Sequence, residues 1–89
     1  MQEQHIQIIN KLGLHARAAT KLANVAMRFS SRIHVIAKGK TTDAKSIMSL
    51  MLLAASKGTD ITLRTEGTDE AAAMDALTTL IHNRFDEAE

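Results

Sequence analysis

The sequence contains no cysteine, proline, tryptophan or tyrosine, and only two phenylalanines. Without cysteine, neither a disulfide framework nor a thiolate metal site can form, and the chain is compatible with a reducing cytoplasm. A core must therefore be built from aliphatic side chains, which the 45% content of hydrophobic residues can supply. Residues 1–89 are expected to form one domain, because 89 residues are enough for only a modest core.

Long hydrophobic runs are also missing. Residues 1–5 lack the basic and apolar blocks of a signal peptide. The longest nearly apolar stretch, residues 47–55, is too short to cross a bilayer. These features predict a soluble cytoplasmic protein with no membrane insertion.

The net charge of the chain is small, but the acidic residues are unevenly distributed. The net charge is +1, and three of the ten acidic residues lie within residues 86–89, so the rest of the chain is mildly basic. Basic side chains near the two sites discussed below favour a surface that faces an acidic partner or an anionic group, with a solvated charged face as the alternative. They are Lys11, Arg17, Lys21 and Lys45.

Periodicity predicts the order strand, helix, strand, strand, helix, strand, helix. Strands are predicted at residues 4–9, 32–37, 40–43 and 60–67. Helices are predicted after His15, over residues 47–54 and after a Thr68 cap. Because the strands are apolar on one side only, a single antiparallel sheet covered by helices on one face follows.

Residues 10–20 (NKLGLHARAAT) carry the candidate chemistry. His15 falls where the first strand gives way to the first helix, and a helix start has unpaired N–H groups and a partial positive charge that favour an anion. The N–H groups of Ala16 and Arg17 and the Arg17 guanidinium are therefore predicted to bind phosphate. Gly13 permits the sharp turn that aims the imidazole. This pattern suits phosphoryl transfer through His15, although a histidine at a helix start can also be an incidental cap.

The motif GLHAR at residues 13–17, followed by Ala18-Ala19 and by AKSIM at residues 44–48, closely resembles the histidine-containing phosphocarrier family HPr of the bacterial phosphotransferase system. The resemblance implies an α+β open-faced β-sandwich (βαββαβα) with strand order 1-4-2-3 and three helices on one face. It also implies a monomer that takes a phosphoryl group from enzyme I on His15, with Arg17 as the catalytic neighbour, and passes it to an enzyme IIA-type acceptor. Such a carrier is a covalent intermediate and not a turnover enzyme. Ala18 departs from the family, many of whose members have proline there.

The resemblance also singles out the start of the second helix. Ser46 matches a regulatory phosphorylation site that in many bacteria is the substrate of an HPr kinase/phosphorylase, although a capping serine would occupy the same position. Ile47, Met48 and Met51 are candidates for partner docking. Met48 lies about 100° around the helix from Ile47 and should face outward, whereas burial and exposure are equally expected for Met51.

Four alternatives are either disfavoured by the residues or stay open. A nucleic-acid module is disfavoured, because the exposed sheet positions offer no aromatic ring for base stacking and the basic excess is small. The four histidines have no short paired spacing, so no metal and no cofactor is predicted. A regulatory interaction module with an inert histidine remains open. So does a carrier of the nitrogen branch with no direct role in sugar uptake, to which the NRFDE of residues 83–87 is similar.

Overall fold

The computed structural model describes residues 1–88. In chain order its elements are β1 (Gln2–Gln7), α1 (Ala16–Ala26), β2 (Arg32–Ala37), β3 (Lys40–Asp43), α2 (Ile47–Leu52), β4 (Asp60–Glu66), α3 (Glu70–His82) and a 3-10 turn (Arg84–Asp86). The predicted order of strands and helices is confirmed. The 3-10 turn has no counterpart in the prediction.

The four strands form one antiparallel sheet in the order β1-β4-β2-β3, as the resemblance implied. Within β2 and β4 the buried residues alternate with half-buried or exposed ones. This alternation places Ile33, Val35, Ile61 and Leu63 on the face that the helices cover. The opposite face of the sheet is open.

The core is aliphatic, with one fully buried aromatic ring. The buried residues of α1 include four alanines, whose small side chains let this helix lie close to the sheet. Phe85, in the 3-10 turn, is fully buried and draws the chain that follows α3 back onto the body. Among residues 1–88 no helix is long and apolar enough to cross a bilayer.

Two predicted details of the helices are wrong. The second helix ends at Leu52 instead of continuing to residue 54, because Ala54 takes a left-handed backbone conformation (φ 51°). The residue at the N-cap of α3 is Asp69 and not Thr68. The Asp69 side chain caps nothing, since its carboxylate is used elsewhere.

The Asp69 carboxylate joins the start of α3 to the loop before β2. Its Oδ2 accepts hydrogen bonds from the backbone N–H (2.9 Å) and hydroxyl (3.2 Å) of Ser30. Its Oδ1 accepts from the backbone N–H (2.9 Å) and the hydroxyl of Ser31. These bonds, led by that of the Ser31 hydroxyl, lower the pKa of Asp69 to about 2.

Replacing Asp69 by asparagine should lower the Tm at neutral pH, because an amide cannot accept hydrogen bonds on both of its heavy atoms. The folded pKa is depressed, so the carboxylate stabilises the fold above its unfolded pKa, and the benefit is lost as the pH falls towards 2. The difference in Tm between wild type and variant should therefore shrink on acidification, as measured by calorimetry.

Asp75→Asn is the matched control, since Asp75 is exposed on the same helix and its carboxylate makes no hydrogen bond within residues 1–88. Equal losses of Tm for the two variants would contradict the role given to Asp69.

Candidate functional site

The segment that carries the candidate histidine, residues 8–15, is tied by its backbone to residues 55–59. The Ile8 N–H donates to the Thr59 carbonyl (3.0 Å), and the Gly58 N–H donates to the Ile8 carbonyl (2.7 Å). Farther along, the Leu14 N–H donates to the Ala55 carbonyl (2.7 Å). The first strand ends at Gln7, earlier than predicted, so a tethered loop separates it from the helix.

Gly13 is required at the closest point of this contact. Its φ is +66°, and a Cβ built there would lie 2.5 Å from the Ala55 carbonyl oxygen and 2.7 Å from the Ser56 Cα. The prediction that Gly13 supplies a turn is confirmed, and the structure adds a second reason for glycine. Only a residue without a side chain lets the two backbones approach this closely.

His15 is the N-cap residue of α1, with an extended backbone and no capping hydrogen bond from its side chain. The interpretation of His15 as an incidental cap is therefore not what the geometry shows. The ring is about a quarter exposed, and its Nε2 lies 2.6 Å from Oε2 of Glu87. The imidazole is thus held at the surface by a carboxylate that lies 72 residues away in the chain.

The start of α1 offers donors beside the ring. The first helical hydrogen bond runs from the Ala19 N–H to the His15 carbonyl (2.8 Å). The N–H groups of Ala16 and Arg17 therefore have no acceptor within the helix. The Arg17 side chain is exposed and makes no hydrogen bond or ion pair with any other described residue. It borders a surface cavity of about 480 Å³, together with Leu12 and Glu87.

The segment after α3 completes the site, and the sequence analysis missed it. Residues 84–86 all have positive φ (55°, 54° and 61°), which turns the chain back towards α1. Two contacts hold it there: the Phe85 ring is fully buried, and the Lys21 ammonium donates to the Phe85 carbonyl (2.6 Å). The clustering of acids near residue 87 in a mildly basic chain is the one signal that could have indicated this docking.

Glu87 is anchored on both oxygens. Its Oε1 accepts a hydrogen bond from Nδ2 of Asn10 (2.9 Å), while Oε2 faces His15. Burial raises the pKa of this carboxyl, but the hydrogen bonds from Asn10 and His15, aided by the charges of His15 and Lys21, outweigh burial and lower the pKa. Glu87 is therefore ionised at neutral pH.

Asn10 links the tail to the loop before α1. Its side chain is fully buried, and its Nδ2 also donates to the Gly13 carbonyl (2.8 Å). Its Oδ1 has no hydrogen-bond partner among residues 1–88. A buried carbonyl oxygen without a partner costs about 1–3 kcal/mol, so the orientation of this amide is set by the two bonds that its nitrogen makes.

The second predicted site lies at α2. Ser46 is the N-cap, and its Oγ accepts a hydrogen bond from the Ser49 N–H (3.3 Å). With six residues α2 has little more than one turn and a half, so its dipole is small. Ile47 is only partly exposed and packs against the core, whereas Met48 is 71% and Met51 42% exposed.

Sequence reasoning missed Leu52 and Leu12, which are 74% and 66% exposed. Some of the basic residues expected to face a partner bind backbone carbonyls instead. The ammonium of Lys21 binds the Phe85 carbonyl, and that of Lys45 donates to the Phe29 carbonyl (2.8 Å). Within residues 1–88 no group of three or more histidine or acidic side chains is arranged to hold a metal ion.

A small α+β protein that presents a histidine at a helix start, beside an arginine with no partner among residues 1–88, has the arrangement expected of a phosphohistidine carrier. A family model described as "PTS HPr component phosphorylation site" matches residues 2–83. The chain belongs to this family, the HPr phosphocarriers of the phosphotransferase system.

Individual relatives cover essentially the whole chain. The phosphocarrier protein HPr of Cupriavidus necator is 53% identical over 89 residues, which span all of both chains. The phosphocarrier protein NPr of Shewanella violacea is 45% identical over 86 residues, covering 97% of this chain and 94% of that one. The crystal structure of HPr-C-His from Thermoanaerobacter tengcongensis superposes with a TM-score of 0.96 at 45% identity, covering both chains completely.

Two glycine substitutions distinguish the two reasons for glycine at position 13, which are the positive φ and the close contact with residues 55–56. Gly39 also has a positive φ (+76°), but a Cβ there would meet nothing within 4 Å. Gly39→Ala should cost about 1–2 kcal/mol, the usual penalty for an L-residue in the left-handed region. Gly13→Ala should cost clearly more, because the methyl group also separates the loop from residues 55–56. Urea unfolding of both variants measures the difference, and equal costs would show that the close backbone contact contributes nothing.

Proposed function

We propose that the chain accepts a phosphoryl group from enzyme I on His15 and passes it to an enzyme IIA-type acceptor in the cytoplasm. It acts as a covalent intermediate and not as a turnover enzyme, and it works as a monomer without a cofactor. The observation that carries the proposal is the position of the His15 ring at the surface, at the start of α1, where Glu87 contacts its Nε2. Its ring is not used for capping, and Arg17, two residues on, has no other described partner.

The chemistry needs a nucleophilic nitrogen and neutralisation of the transferred charge. A lone pair on the imidazole attacks phosphorus, while the N–H groups of Ala16 and Arg17 and the Arg17 guanidinium bind the phosphoryl oxygens. In phosphoryl transfer most of the catalysis is positioning and electrostatic stabilisation. A rigid loop and a helix start supply both.

We propose that partners dock on the exposed apolar side chains beside the histidine. The contact between Leu14 and Ala55 places the segment that follows α2 next to the His15 loop. Met48 and Met51 are exposed on α2, and flexible apolar groups of this kind suit a surface that meets several partners. Ile47 supports this surface from the core side, and Leu52 extends it.

A second candidate role is that of a nitrogen-branch carrier or a regulatory module. The 45% identity to the phosphocarrier protein NPr of Shewanella violacea supports the nitrogen-branch role. A sugar-uptake carrier and a nitrogen-branch carrier use the same chemistry at His15 and differ only in the acceptor, whereas a regulatory module with an inert histidine would accept no phosphoryl group. Transfer assays from the phosphorylated chain to sugar-specific and nitrogen-branch IIA proteins, run side by side, distinguish them.

Incubation with enzyme I and phosphoenolpyruvate should add one acid-labile phosphoryl group, detected by mass spectrometry of the intact protein. His15→Ala should add none and remain folded, since His15 holds little of the core. Arg17→Ala should still accept phosphate but roughly ten-fold or more slowly, because a charge-assisted hydrogen bond is worth about 1.5–3 kcal/mol.

Arg28→Ala controls for the loss of a positive charge, since Arg28 is exposed just beyond the other end of α1. Acceptance by His15→Ala would refute the proposal. Equal rates for Arg17→Ala and Arg28→Ala would assign Arg17 to the solvated surface.

We propose that Ser46 is a regulatory phosphorylation site for an HPr kinase/phosphorylase. Ser46→Asp should unfold at no lower temperature than Ser46→Ala, because aspartate also caps a helix. It should nevertheless accept phosphate from enzyme I at least several-fold more slowly. The reason is that a negative charge beside Met48 repels an acidic docking face and is costly to desolvate against an apolar one.

The loss should ease at high salt as screening grows. Ser49→Asp is a nearby control, since it adds the same charge one turn further along α2. Equal acceptance by Ser46→Asp and Ser46→Ala at low salt would leave Ser46 as a helix cap only.

A further inference from the structure

We propose that Glu87 is a positioning residue for phosphoryl acceptance. Its carboxylate accepts a hydrogen bond from the Nε2–H of His15 and thereby leaves the lone pair of the ring on Nδ1, the atom that attacks phosphorus. This inference rests on the proposed function. It gives the segment after α3 a role in the chemistry of His15, in addition to its packing against the fold.

The tautomer follows from hydrogen-bonding capacity. An ionised carboxylate can only accept hydrogen bonds, so the 2.6 Å contact between Oε2 of Glu87 and Nε2 of His15 needs a proton on Nε2. A neutral imidazole carries one N–H, and its other nitrogen then holds the lone pair. No described residue hydrogen-bonds to Nδ1 of His15. That nitrogen is left available for the incoming phosphorus.

The contact is built into the fold and differs from a loose surface ion pair. Exposed pairs contribute little, because two mobile side chains must be ordered. Here the Glu87 side chain is only 14% exposed, and its other oxygen is fixed by the buried Asn10. The preceding turn is fixed by the buried Phe85 ring and by Lys21. The carboxylate is therefore positioned before any phosphoryl donor arrives.

The turn itself gives a second argument. Arg84, Phe85 and Asp86 all have left-handed backbones, a conformation that is unfavourable for any residue with a Cβ. A segment that only had to leave α3 would not adopt such a conformation three times in succession. The strain is offset by the contacts that the turn makes, and the contact at its far end is the one with His15.

Phosphoryl transfer to Nδ1 requires no movement of the proton on Nε2. The Nδ1 lone pair forms the N–P bond, while the bond between phosphorus and the donor atom of phosphorylated enzyme I breaks and its electron pair leaves with the donor. The proton stays on Nε2, and the ring gains a positive charge. The Glu87 carboxylate faces that charge and so interacts more strongly as the bond forms, which is the condition for accelerating the reaction. Arg17 meets the phosphoryl oxygens.

Three variants test the role. Glu87→Gln keeps an acceptor oxygen but loses the charge, Glu87→Ala loses both, and Asp86→Asn removes the same charge one residue away without a contact to His15. Asparagine tolerates the left-handed backbone that Asp86 adopts. Thermal unfolding of each variant verifies that it is folded.

The first readout is the tautomer of His15. Long-range ¹H–¹⁵N spectra at alkaline pH, where imidazoles are neutral, show which ring nitrogen carries the proton. Wild type and Asp86→Asn should show protonated Nε2. Glu87→Ala should show a mixture of the two tautomers. A merely structural role for Glu87 would not change this signature in a folded variant.

The second readout is the single-turnover rate of phosphoryl transfer from phosphorylated enzyme I. Glu87→Gln should be several-fold slower than wild type and Glu87→Ala roughly ten-fold slower, whereas Asp86→Asn should match wild type. Unchanged rates and an unchanged tautomer in Glu87→Ala would overturn the positioning role. Faster acceptance by Glu87→Ala would also overturn it, since Glu87 would then be a shield that must leave.

Failure of this role differs from failure of the proposed function. If wild type takes no phosphoryl group from enzyme I, the proposed function falls and the positioning role falls with it. If wild type accepts normally and Glu87→Ala does so equally well, only the positioning role falls.

Discussion

The backbone of residues 13–14 lies directly against that of residues 55–56, and the placement of His15 depends on this contact. The hydrogen bond from the Leu14 N–H to the Ala55 carbonyl fixes the chain one residue before the histidine. The close approach is possible only because position 13 has no Cβ. The same contact brings the end of α2 beside the loop that carries His15, so one constraint positions both the candidate histidine and the neighbouring apolar surface.

A second constraint acts on the imidazole from the opposite direction. The buried Asn10 amide holds the loop through Gly13 and the tail through Glu87, and its own oxygen goes without a partner in the described part of the chain. A core chosen only for stability would avoid such a group, because it costs free energy. Its presence next to His15 fits the general pattern in which a functional site departs from the rules that the rest of the fold obeys.

Much of the fold was predictable because its signals are local. The bounds of β2 and β3 were predicted from the alternation in residues 32–37 and from the charged strand that follows the hairpin turn, residues 40–43. The buried face of α3 was predicted from the helical spacing of Ala73, Leu77 and Ile81. The end of α2 was not predictable, because Ala54 adopts the left-handed conformation without the glycine that usually signals it. Glu87 was missed for a related reason. Three consecutive left-handed residues carry no local pattern, and the partners that stabilise them are distant in sequence.

The separation of 72 residues between His15 and Glu87 has a consequence for the chain while it is being synthesised. Ribosomes add about 5–20 residues per second, so the histidine exists for several seconds before the carboxylate that faces it is made. For the first part of that interval β1 also lacks β4, the strand with which it pairs in the sheet. A nascent chain therefore carries His15 at first without a partner for β1, and then, until residue 87 is made, without the carboxylate that faces the ring.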